Sequence, residues 1–288
     1  MNDATIASAK TIAIACNPLA GDGRAVSLTG QIADELVKRD IAHSVFKDNW
    51  PENFNGFTDV WIVGGDGTLN YFINNYPEIR LPLSVFKGGS GNDSHWLLYG
   101  NKNFTEQLEF VLSARAKAID AGRCNDKFFI NGAGIGFEGV VSESVGGKKK
   151  SAGKISYLLA ILKKILFYHS KSYTICSEEY NEQKKFLMIS VCNGRRAGGG
   201  FYVAPEAQAD DGLLDVSLIR AIPPFLRLRC LPAIEKGTHL LLPFVSHFKT
   251  RKIIIESDQM IQAHLDGEIF NNKKLEFEIL PGKFHFLY

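Results

Sequence analysis

The stretch "FTDVWIVGGDGTLNYF" (Phe57–Phe72) sets the interpretation of the first half of the chain. An apolar run stops at Gly64-Gly65-Asp66-Gly67-Thr68, and apolar residues then resume. This pattern predicts a strand, a glycine turn and a helix. Two interpretations of Asp66 stay open. It stabilises its own turn, or it helps to hold Mg²⁺ or to deprotonate an attacking hydroxyl.

Strand-like and helix-like segments alternate through the rest of the first half. The strand-like runs are "TIAIAC" (11–16), "AHSVF" (42–46), "DVWIV" (59–63) and "LPLSVF" (81–86), and the helical segments are 25–39 and 68–76. Such alternation predicts a parallel sheet covered on both faces. Ligands of these sheets bind beyond the carboxyl ends of the strands. We therefore predict an α/β domain over residues 1–122.

The pattern changes after about Ala121-Gly122. Short strand-like runs follow, and many are separated by Gly, Asn or Asp. They predict an antiparallel β domain over residues 123–282, with one helix near 152–169. The last strand, within 283–288, could return to either domain.

The composition excludes several classes of protein. Of the 288 residues, 45% are hydrophobic and 22% are charged, which is typical of a soluble globular protein. The net charge of 33 − 31 = +2 gives no reason to expect nucleic-acid binding. The five cysteines form no C-x-x-C pair, so we expect buried reduced thiols in a cytosolic protein. No secretory signal or membrane-spanning run is present in the sequence.

Three glycine-rich turns follow strands of the first half. They are "NPLAGDGRA" (17–25), "GGDGT" (64–68) and "KGGSGND" (87–93). Glycine lets a ligand approach the backbone, and the N–H groups at a helix N-terminus favour phosphate. One such loop is weak evidence, but three at equivalent strand ends predict a phosphate site. The side chains expected to contribute are Asn17, Arg24, Thr68, Ser90 and Asn92.

Two nucleotide motifs are absent in spite of partial matches. "GIGFEG" (134–139) matches G-x-G-x-x-G, but a dinucleotide site needs an acid about 20 residues later, and residues 144–177 contain none. "GGKKKSAGKIS" has the wrong glycine spacing for a Walker A loop.

Acidic residues of the second half allow two interpretations each. In "HLDGEIF" (264–270), Asp266 and Glu268 lie two apart. On a strand both carboxylates would point to the same side and could converge on one cation or hydroxyl. Alternatively, "DG" is a hairpin turn. Asp210 and Asp211 similarly could ligate a cation or form a turn.

Residues 144–177 carry seven lysines, and Leu158, Leu162, Ile165 and Leu166 have helical spacing within them. One interpretation is a solvated face over a core stripe. The other is a basic amphipathic element at an anionic membrane surface.

Five ordered motifs resemble those of the diacylglycerol kinase catalytic family, which includes bacterial lipid kinases and is related to sphingosine and ceramide kinases. They are "GGDGTLN" (64–70), "GSGND" (89–93), "NGAGIGFEG" (131–139), "GGGFYVAPEAQADDGLLDV" (198–216) and "DGE" (266–268). The resemblance runs from Asn17 to Glu268. G-G-D-G alone also occurs in NAD kinases and phosphofructokinases.

The resemblance implies an N-terminal α/β nucleotide domain like that of NAD kinases and phosphofructokinases, a C-terminal β-sandwich for the lipid substrate, and an active site in the cleft between them. It assigns ATP binding to Asn17, Gly64, Gly65, Asp66, Gly67 and Thr68, with Ser90, Gly91 and Asn92 completing the phosphate site. It assigns Mg²⁺ and the catalytic base to Asp66, Asp266 and Glu268, and a separate structural metal to Asp211.

Three positions depart from the family pattern. Tyr71 stands where the family usually has Glu, three residues after the Thr of G-G-D-G-T. Ser90 replaces a Thr and keeps the hydroxyl. Gln208 stands where some members carry a metal-binding acid.

The sequence thus predicts an ATP-dependent lipid kinase that transfers the γ-phosphoryl group to diacylglycerol or a related lipid, with Mg²⁺. We expect a cytoplasmic protein that associates peripherally with the anionic inner face of the membrane, binds no nucleic acid and could form a homodimer. Two alternatives stay open. One is a kinase of NAD or another soluble hydroxyl compound, and the other is a non-catalytic nucleotide or lipid binder.

Overall fold

The computed structural model describes residues 10–145 and 164–288. The chain divides into two compact units. The first unit ends at Ala118 and also contains Phe284–Tyr288, and the second unit is Ile119–Lys283. The ranges 1–122 and 123–282 expected from the sequence differ from these units by a few residues.

The first unit is built from alternating strands and helices. Its strands are β1 (Thr11–Cys16), β2 (Ala42–Phe46), β3 (Asp59–Gly64) and β4 (Leu83–Lys87). Its helices are α1 (Arg24–Lys38), α2 (Asp66–Asn75), α3 (Asp93–Tyr99) and α4 (Phe104–Ser113), and a short 3₁₀ helix (Ala20–Gly23) precedes α1.

The strands of the first unit form a parallel sheet. Its order is β4-β3-β1-β2, and the end of the last strand adds beside β4, where Phe286 pairs with Leu83 in parallel. All six residues of β3 are buried, as expected for a central strand covered on both faces. In α1 the buried residues Ala25, Thr29, Ile32 and Leu36 recur at helical spacing and form the face toward the core. The predicted α/β domain is confirmed.

The second unit consists mainly of strands. They are β5 (Ala116–Cys124), β6 (Lys127–Phe129), β7 (Gly132–Gly136), β8 (Lys171–Cys176), β9 (Asn181–Cys192), β10 (Leu214–Arg220), β11 (Val245–Thr250), β12 (Lys252–Ile261), β13 (Ala263–Leu265), β14 (Glu268–Ile269) and β15 (Asn272–Leu287). Helices α5 (Phe137–Val145) and α6 (Pro224–Glu235) and a 3₁₀ helix (His239–Leu241) interrupt them. β5 begins, and β15 ends, in the first unit.

Strand pairing in the second unit is antiparallel. The order is β14-β13-β7-β9-β8-β12-β15, and β9 also pairs with β10, which pairs with β11. A large apolar core that includes Phe186, Val216 and Phe277 lies within this unit. A second cluster packs around Cys230 and Ile234 of α6. The predicted C-terminal β-sandwich-like domain is confirmed.

The expectation of a single helix in the second half is wrong, because α5 and α6 are also helical. α5 is short and rich in valine and serine, and Pro232 inside α6 argues against a helix. The helix expected near 152–169 lies partly outside the described residues, although 164–167 are helical. Lys148, Lys149, Lys150, Lys154, Lys163, Leu158 and Leu162 also lie outside the described residues.

Two further expectations concern thiols and membrane spans. All five cysteines are free, and four are buried, but Cys176 at the end of β8 is exposed, so the expectation that all thiols are buried is wrong. Within residues 10–145 and 164–288, no helix has the length and apolar character needed to cross a membrane.

Candidate functional site

Three loops of the first unit lie side by side at the carboxyl ends of parallel strands. We call them the Asn17 loop (17–25, after β1), the Asp66 loop (64–68, after β3) and the Asn92 loop (87–93, after β4). Strand register aligns their starts, since Cys16 pairs with Val63 and Gly64 with Lys87. The structure therefore brings the three predicted glycine loops together.

The Asp66 and Asn92 loops touch through their backbones. A Cβ at Gly65 would lie 2.6 Å from the carbonyl oxygen of Gly91, and a Cβ at Gly89 would overlap the Cα of Gly65. The N–H of Gly88 donates to the carbonyl oxygen of Gly64 at 2.8 Å. Glycine is required at these contacts because any side chain would push the loops apart. The result is a surface lined by main-chain groups.

Side chains of the predicted phosphate site hold the loops in place. Asn17 Nδ2 donates to Thr68 Oγ1 at 3.0 Å, which joins the Asn17 loop to the Asp66 loop. Arg24 is exposed, and its Nε donates to the carbonyl oxygen of Gly21 at 2.9 Å within its own loop. Thr68 is buried, and its hydroxyl oxygen accepts the bond from Asn17.

Asn92 and Ser90 differ in their surroundings. Asn92 Nδ2 donates to the carbonyl oxygen of Gly89 at 2.9 Å. Its Oδ1 is buried and has no hydrogen-bond partner within the described part of the chain. A buried acceptor of this kind suits a ligand or water that donates a hydrogen bond. Ser90 is exposed at the tip of the same loop.

Asp66 joins the Asp66 loop to helix α3. Its Oδ2 accepts from the N–H of Asp93 at 3.0 Å, and its Oδ1 accepts from the N–H of Ser94 at 2.8 Å. Its own N–H donates to the carbonyl oxygen of Gly91 at 3.1 Å. A carboxylate at a helix N-terminus satisfies unpaired N–H groups and is stabilised by the helix dipole. Asp66 therefore has a structural role, and its role toward Mg²⁺ or a hydroxyl stays a prediction.

A buried hydrogen-bonded chain supports α3 from behind. Gln107 Nε2 donates to the carbonyl oxygen of Val85 at 2.8 Å, and the Gln107 Oε1 faces His95 Nε2 at 2.9 Å. Burial lowers the pKa of His95, although the bond to Gln107 opposes the shift. This neutral histidine ties α3 to α4 and β4.

Asp266 and Glu268 flank a hairpin turn in the second unit. β13 pairs with β14 so that Leu265 lies opposite Glu268, and Asp266 and Gly267 form the two-residue loop with φ of 49° and 91°. Two consecutive positive φ angles are the type I′ pattern that favours Asp-Gly. Of the two interpretations left open for this segment, the hairpin turn is the one observed, and the two acids do not lie together on one strand.

The carboxylate of Asp266 is held by the segment that leads into β7. Its Oδ2 accepts from the N–H of Ile130 at 2.8 Å, and its Oδ1 accepts from the N–H groups of Asn131 and Gly132 at 2.9 and 3.0 Å. Three backbone donors fix its position. Glu268 is exposed.

Asp211 is paired with an ammonium group. Its Oδ2 accepts from Lys249 Nζ at 2.7 Å, and its Oδ1 accepts from the N–H of Leu213 at 3.0 Å. The same ammonium lies 3.4 Å from Asp215 Oδ2, and His247 Nε2 lies 3.0 Å from Asp215 Oδ1. Burial lowers the pKa of Lys249, but its bond to Asp211 and the charge of Asp215 outweigh burial and raise the pKa overall.

The predicted metal ligands fit a cation unequally. No group of three or more His, Cys, Asp or Glu side chains in the described ranges could hold an ion by itself. Asp211 does not fit, because Lys249 already neutralises it. Mg²⁺ usually combines one or two carboxylates with substrate phosphates, so Asp66 beside the glycine loops fits that arrangement. Asp266, in the second unit, is a single carboxylate and stays a predicted ligand.

Tyr71 departs from the family pattern at an exposed position. Its side chain is 61% exposed on α2, and its ring contacts Trp50 at a centroid distance of 5.7 Å. Tyr71 therefore does not supply the carboxylate that the family usually has at this position.

A largely buried polar cluster near the Asp266 turn was not predicted from the sequence. His264 Nε2 lies 3.5 Å from Glu138 Oε1, and Ser190 Oγ donates to Glu138 Oε2 at 3.1 Å. Glu138 belongs to the "GIGFEG" segment (134–139), which does not meet the requirements of a dinucleotide motif. An acidic residue within this glycine-rich segment was the sequence feature that could have indicated the cluster. Lys249 was also missed, because no local pattern links it to Asp211.

Two protein families match the chain in order. The family described as diacylglycerol kinase catalytic domain matches residues 11–124, and the YegS C-terminal NAD kinase beta sandwich-like domain matches residues 132–288. A Shewanella frigidimarina protein named "Probable lipid kinase YegS-like" is 31% identical over 79% of this chain and 75% of its own length. A Mycobacterium tuberculosis protein named "Diacylglycerol kinase" is 26% identical over 92% of this chain and 91% of its own.

Solved structures share the fold. A crystal structure from Bacillus anthracis str. Sterne covers 100% of this chain and 98% of its own with a TM-score of 0.77 at 22% identity. Another from the same organism, described as a diacylglycerol kinase, covers 97% of both chains with a TM-score of 0.72 at 20% identity.

Proposed function

The chain belongs to the diacylglycerol kinase catalytic domain family, and on that premise we propose that it is an ATP-dependent lipid kinase. The resemblance drawn from the motifs is thereby confirmed. We propose that the γ-phosphoryl group of ATP is transferred to the hydroxyl of diacylglycerol or a related lipid.

The convergence of the three glycine loops carries the nucleotide part of the proposal. Main-chain N–H groups and the N-terminus of α2 favour phosphate. Gly65 and Gly89 approach each other too closely to allow a Cβ, so no side chain covers the backbone at that point. We assign ATP to Asn17, Arg24, Gly64, Gly65, Gly67, Thr68, Ser90, Gly91 and Asn92. The buried Oδ1 of Asn92 is an acceptor, so a phosphate oxygen could not satisfy it, whereas a hydroxyl or amino group of ATP could donate to it.

Phosphoryl transfer needs positioning and charge neutralisation more than covalent help from the protein. When bound, Mg²⁺ would neutralise charge on the phosphate oxygens. We assign Asp66 and Asp266 to that ion, and Asp266 or Asp66 to the proton of the attacking hydroxyl, with Glu268 beside the turn. A positioned base typically contributes on the order of 10²–10⁴ in rate.

A lipid acceptor implies contact with a membrane surface. Phe225 and Leu228 lie one turn apart on α6 and are 69% and 40% exposed, and the neighbouring Arg229 is exposed as well. An apolar face beside a cation suits an anionic surface. Cosedimentation with phosphatidylserine vesicles, compared with phosphatidylcholine vesicles, tests this peripheral association. The cytoplasmic location at the inner face and the homodimer stay predictions.

The activity is tested by incubating the protein with γ-labelled ATP, Mg²⁺ and diacylglycerol in mixed micelles. We expect label in the chloroform-soluble phosphorylated lipid, and a total lipid extract then identifies the preferred acceptor. Asp66→Ala serves as the inactive control.

The alternatives predict different outcomes of the same assay. Label transferred to NAD or another soluble acceptor without lipid would favour a soluble-substrate kinase. Nucleotide binding by calorimetry without ATP consumption across the lipid panel would favour a non-catalytic binder. Either result would replace the proposed lipid kinase.

A further inference from the structure

A buried polar cluster of the second unit lies beside the Asp266–Gly267 turn. His264 on β13 is 5% exposed, Ser190 on β9 is fully buried, and Glu138 lies in the first turn of α5. We infer that Glu138 and His264 form a positioning pair that fixes this turn. The inference rests on the proposed function, in which Asp266 and Glu268 take part.

Gly134 creates the space for the pair. β7 and β13 pair so that Gly134 lies opposite His264. A Cβ at Gly134 would lie 2.5 Å from Glu138 Cγ and would overlap His264 Nε2. The glycine at the start of the "GIGFEG" segment (134–139) therefore leaves room for the contact between the Glu138 carboxylate and the His264 imidazole.

The hydrogen bonds define the state of the imidazole. The N–H of Gly267 donates to His264 Nδ1 at 3.2 Å. A neutral imidazole that accepts at Nδ1 carries its hydrogen on Nε2, which faces Glu138 Oε1 at 3.5 Å. The hydroxyl of Ser190 donates to the other oxygen of Glu138 at 3.1 Å. These contacts connect two buried side chains, His264 and Ser190, and the partly buried Glu138 to one backbone N–H of the turn.

The turn is thus held on two sides. The Asp266 carboxylate accepts from three backbone N–H groups, and His264 holds Gly267, immediately before Glu268. Small displacements of reactive groups have large effects on rate, since a shift of about 1 Å can cost on the order of 10²-fold. His264 is a positioning residue, because it acts through the turn and contacts no reacting atom in this assignment.

Two near-isosteric substitutions separate the contacts of His264. His264→Asn places an amide oxygen near the former Nδ1 and can keep the bond from Gly267. His264→Gln places its amide near the former Nε2, so it keeps the contact with Glu138 and loses the acceptor. We expect His264→Gln to lower kcat about tenfold with the KM for ATP unchanged, and His264→Asn, which loses only the contact with Glu138, to lower kcat about two- to threefold.

Amide hydrogen exchange at Gly267, followed by NMR, tests the pair without any activity. We expect the fastest exchange in His264→Gln and a smaller rise, of about two- to threefold, in His264→Asn. If the unsubstituted protein shows no kinase activity, the proposed function fails and the exchange data still decide on the positioning pair.

Equal exchange at Gly267 in both variants, or kcat losses that merely follow the melting temperature, would overturn the inference. Should both variants fail to fold, Ser190→Ala removes only the donor to Glu138. We then expect Gly267 exchange to rise two- to threefold at an unchanged melting temperature, and unchanged exchange would reject the pair.

Discussion

The carboxylate of Asp66 accepts from the N–H groups of Asp93 and Ser94, so one residue both joins the glycine loops to α3 and is proposed to act in the reaction. The two interpretations that the sequence left open are therefore compatible. The position of a proposed catalytic group is set here by a helix N-terminus that the same group stabilises. Substitutions at Asp66 must be examined for folding as well as for turnover.

Asp66→Ala should abolish turnover and lower stability by about 1 kcal/mol, because the two N–H donors of α3 lose their acceptor. Asp66→Asn keeps one acceptor oxygen and should be nearly native in stability, yet inactive. Thermal melting and the labelled-ATP assay measure the two effects. Glu52→Ala, at an exposed position, is the control and should change neither. Full activity in a folded Asp66→Ala variant would discard the catalytic role.

Gly65→Ala should remove ATP binding, since the added Cβ would lie 2.6 Å from the Gly91 oxygen and would separate the Asp66 and Asn92 loops. Calorimetric titration with ATP measures the loss. Gly30→Ala is the matched control, because Gly30 lies in α1 and a Cβ there meets nothing within 4 Å. The control should bind ATP normally and gain up to ~1 kcal/mol in stability from helix propensity. Equal ATP affinity in both variants would argue against a backbone-lined phosphate site.

On the scale of elements, strand β11 supplies the cation for the Asp211 region. Asp215 is 1% exposed, and Lys249 and His247 of β11 both face it. A buried carboxylate without a partner is costly, so the ammonium of Lys249 compensates for the burial of Asp215.

Lys249→Met should lower the free energy of unfolding by about 1–3 kcal/mol, because Asp211 loses a hydrogen-bond donor and Asp215 loses a paired cation. Denaturant unfolding measures the change, and Lys273→Met, at an exposed position, should be neutral. The melting temperature of the unsubstituted protein should not respond to EDTA. A clearly lower melting temperature in the presence of EDTA would instead support the structural metal at Asp211 that the family resemblance implies.

Strands β1 to β4 and helices α1 and α2 of the first unit could be predicted from the sequence because each carries its own local signal, whereas α3 and α4 were not predicted. β3 is an uninterrupted buried run, and α1 shows apolar residues at helical spacing. The same holds for the three glycine loops, since parallel strands bring their carboxyl ends together.

Elements and contacts of the second unit were harder to predict. α6 begins with a proline, which is favourable at that position, but it contains Pro232, and its helical state depends on packing around Cys230 and Ile234. The Asp-Gly pair fits both a strand and a turn locally, and strand pairing decides between them. Contacts such as His264 with Glu138, or Lys249 with Asp211, join distant parts of the chain and follow only from the tertiary fold.

For the whole molecule, each unit contains a buried histidine that resists protonation. Burial lowers the pKa of His95 in the first unit and of His239 in the second. His239 Nε2 lies 3.2 Å from the carbonyl oxygen of Val203, and its Nδ1 is buried without a hydrogen-bond partner among the residues described. A second proton would therefore add an unpaired buried charge.

These two histidines should make the protein less stable in acid. The unfolded chain binds a proton at each site below the ordinary histidine pKa of about 6.5, whereas the folded chain does so only at lower pH. Stability from this source is complete above that value and is lost as pH falls toward the folded-state pKa, by up to ~1.4 kcal/mol per pH unit for each histidine. Denaturant unfolding between pH 5.5 and 7.5 measures the slope.

Substituting each histidine in turn shows which unit is responsible for the pH dependence of the free energy of unfolding. His95→Gln should reduce the pH dependence of the transition that unfolds the first unit. His239→Gln should reduce the pH dependence of the transition that unfolds the second unit. Both expectations hold whatever the substitutions do to stability at a single pH. His169→Gln, at an exposed position, should leave both slopes unchanged. If the two units unfold in one cooperative transition, each substitution should remove part of a single slope. A slope that survives both substitutions would show that groups other than these two histidines carry the acid sensitivity.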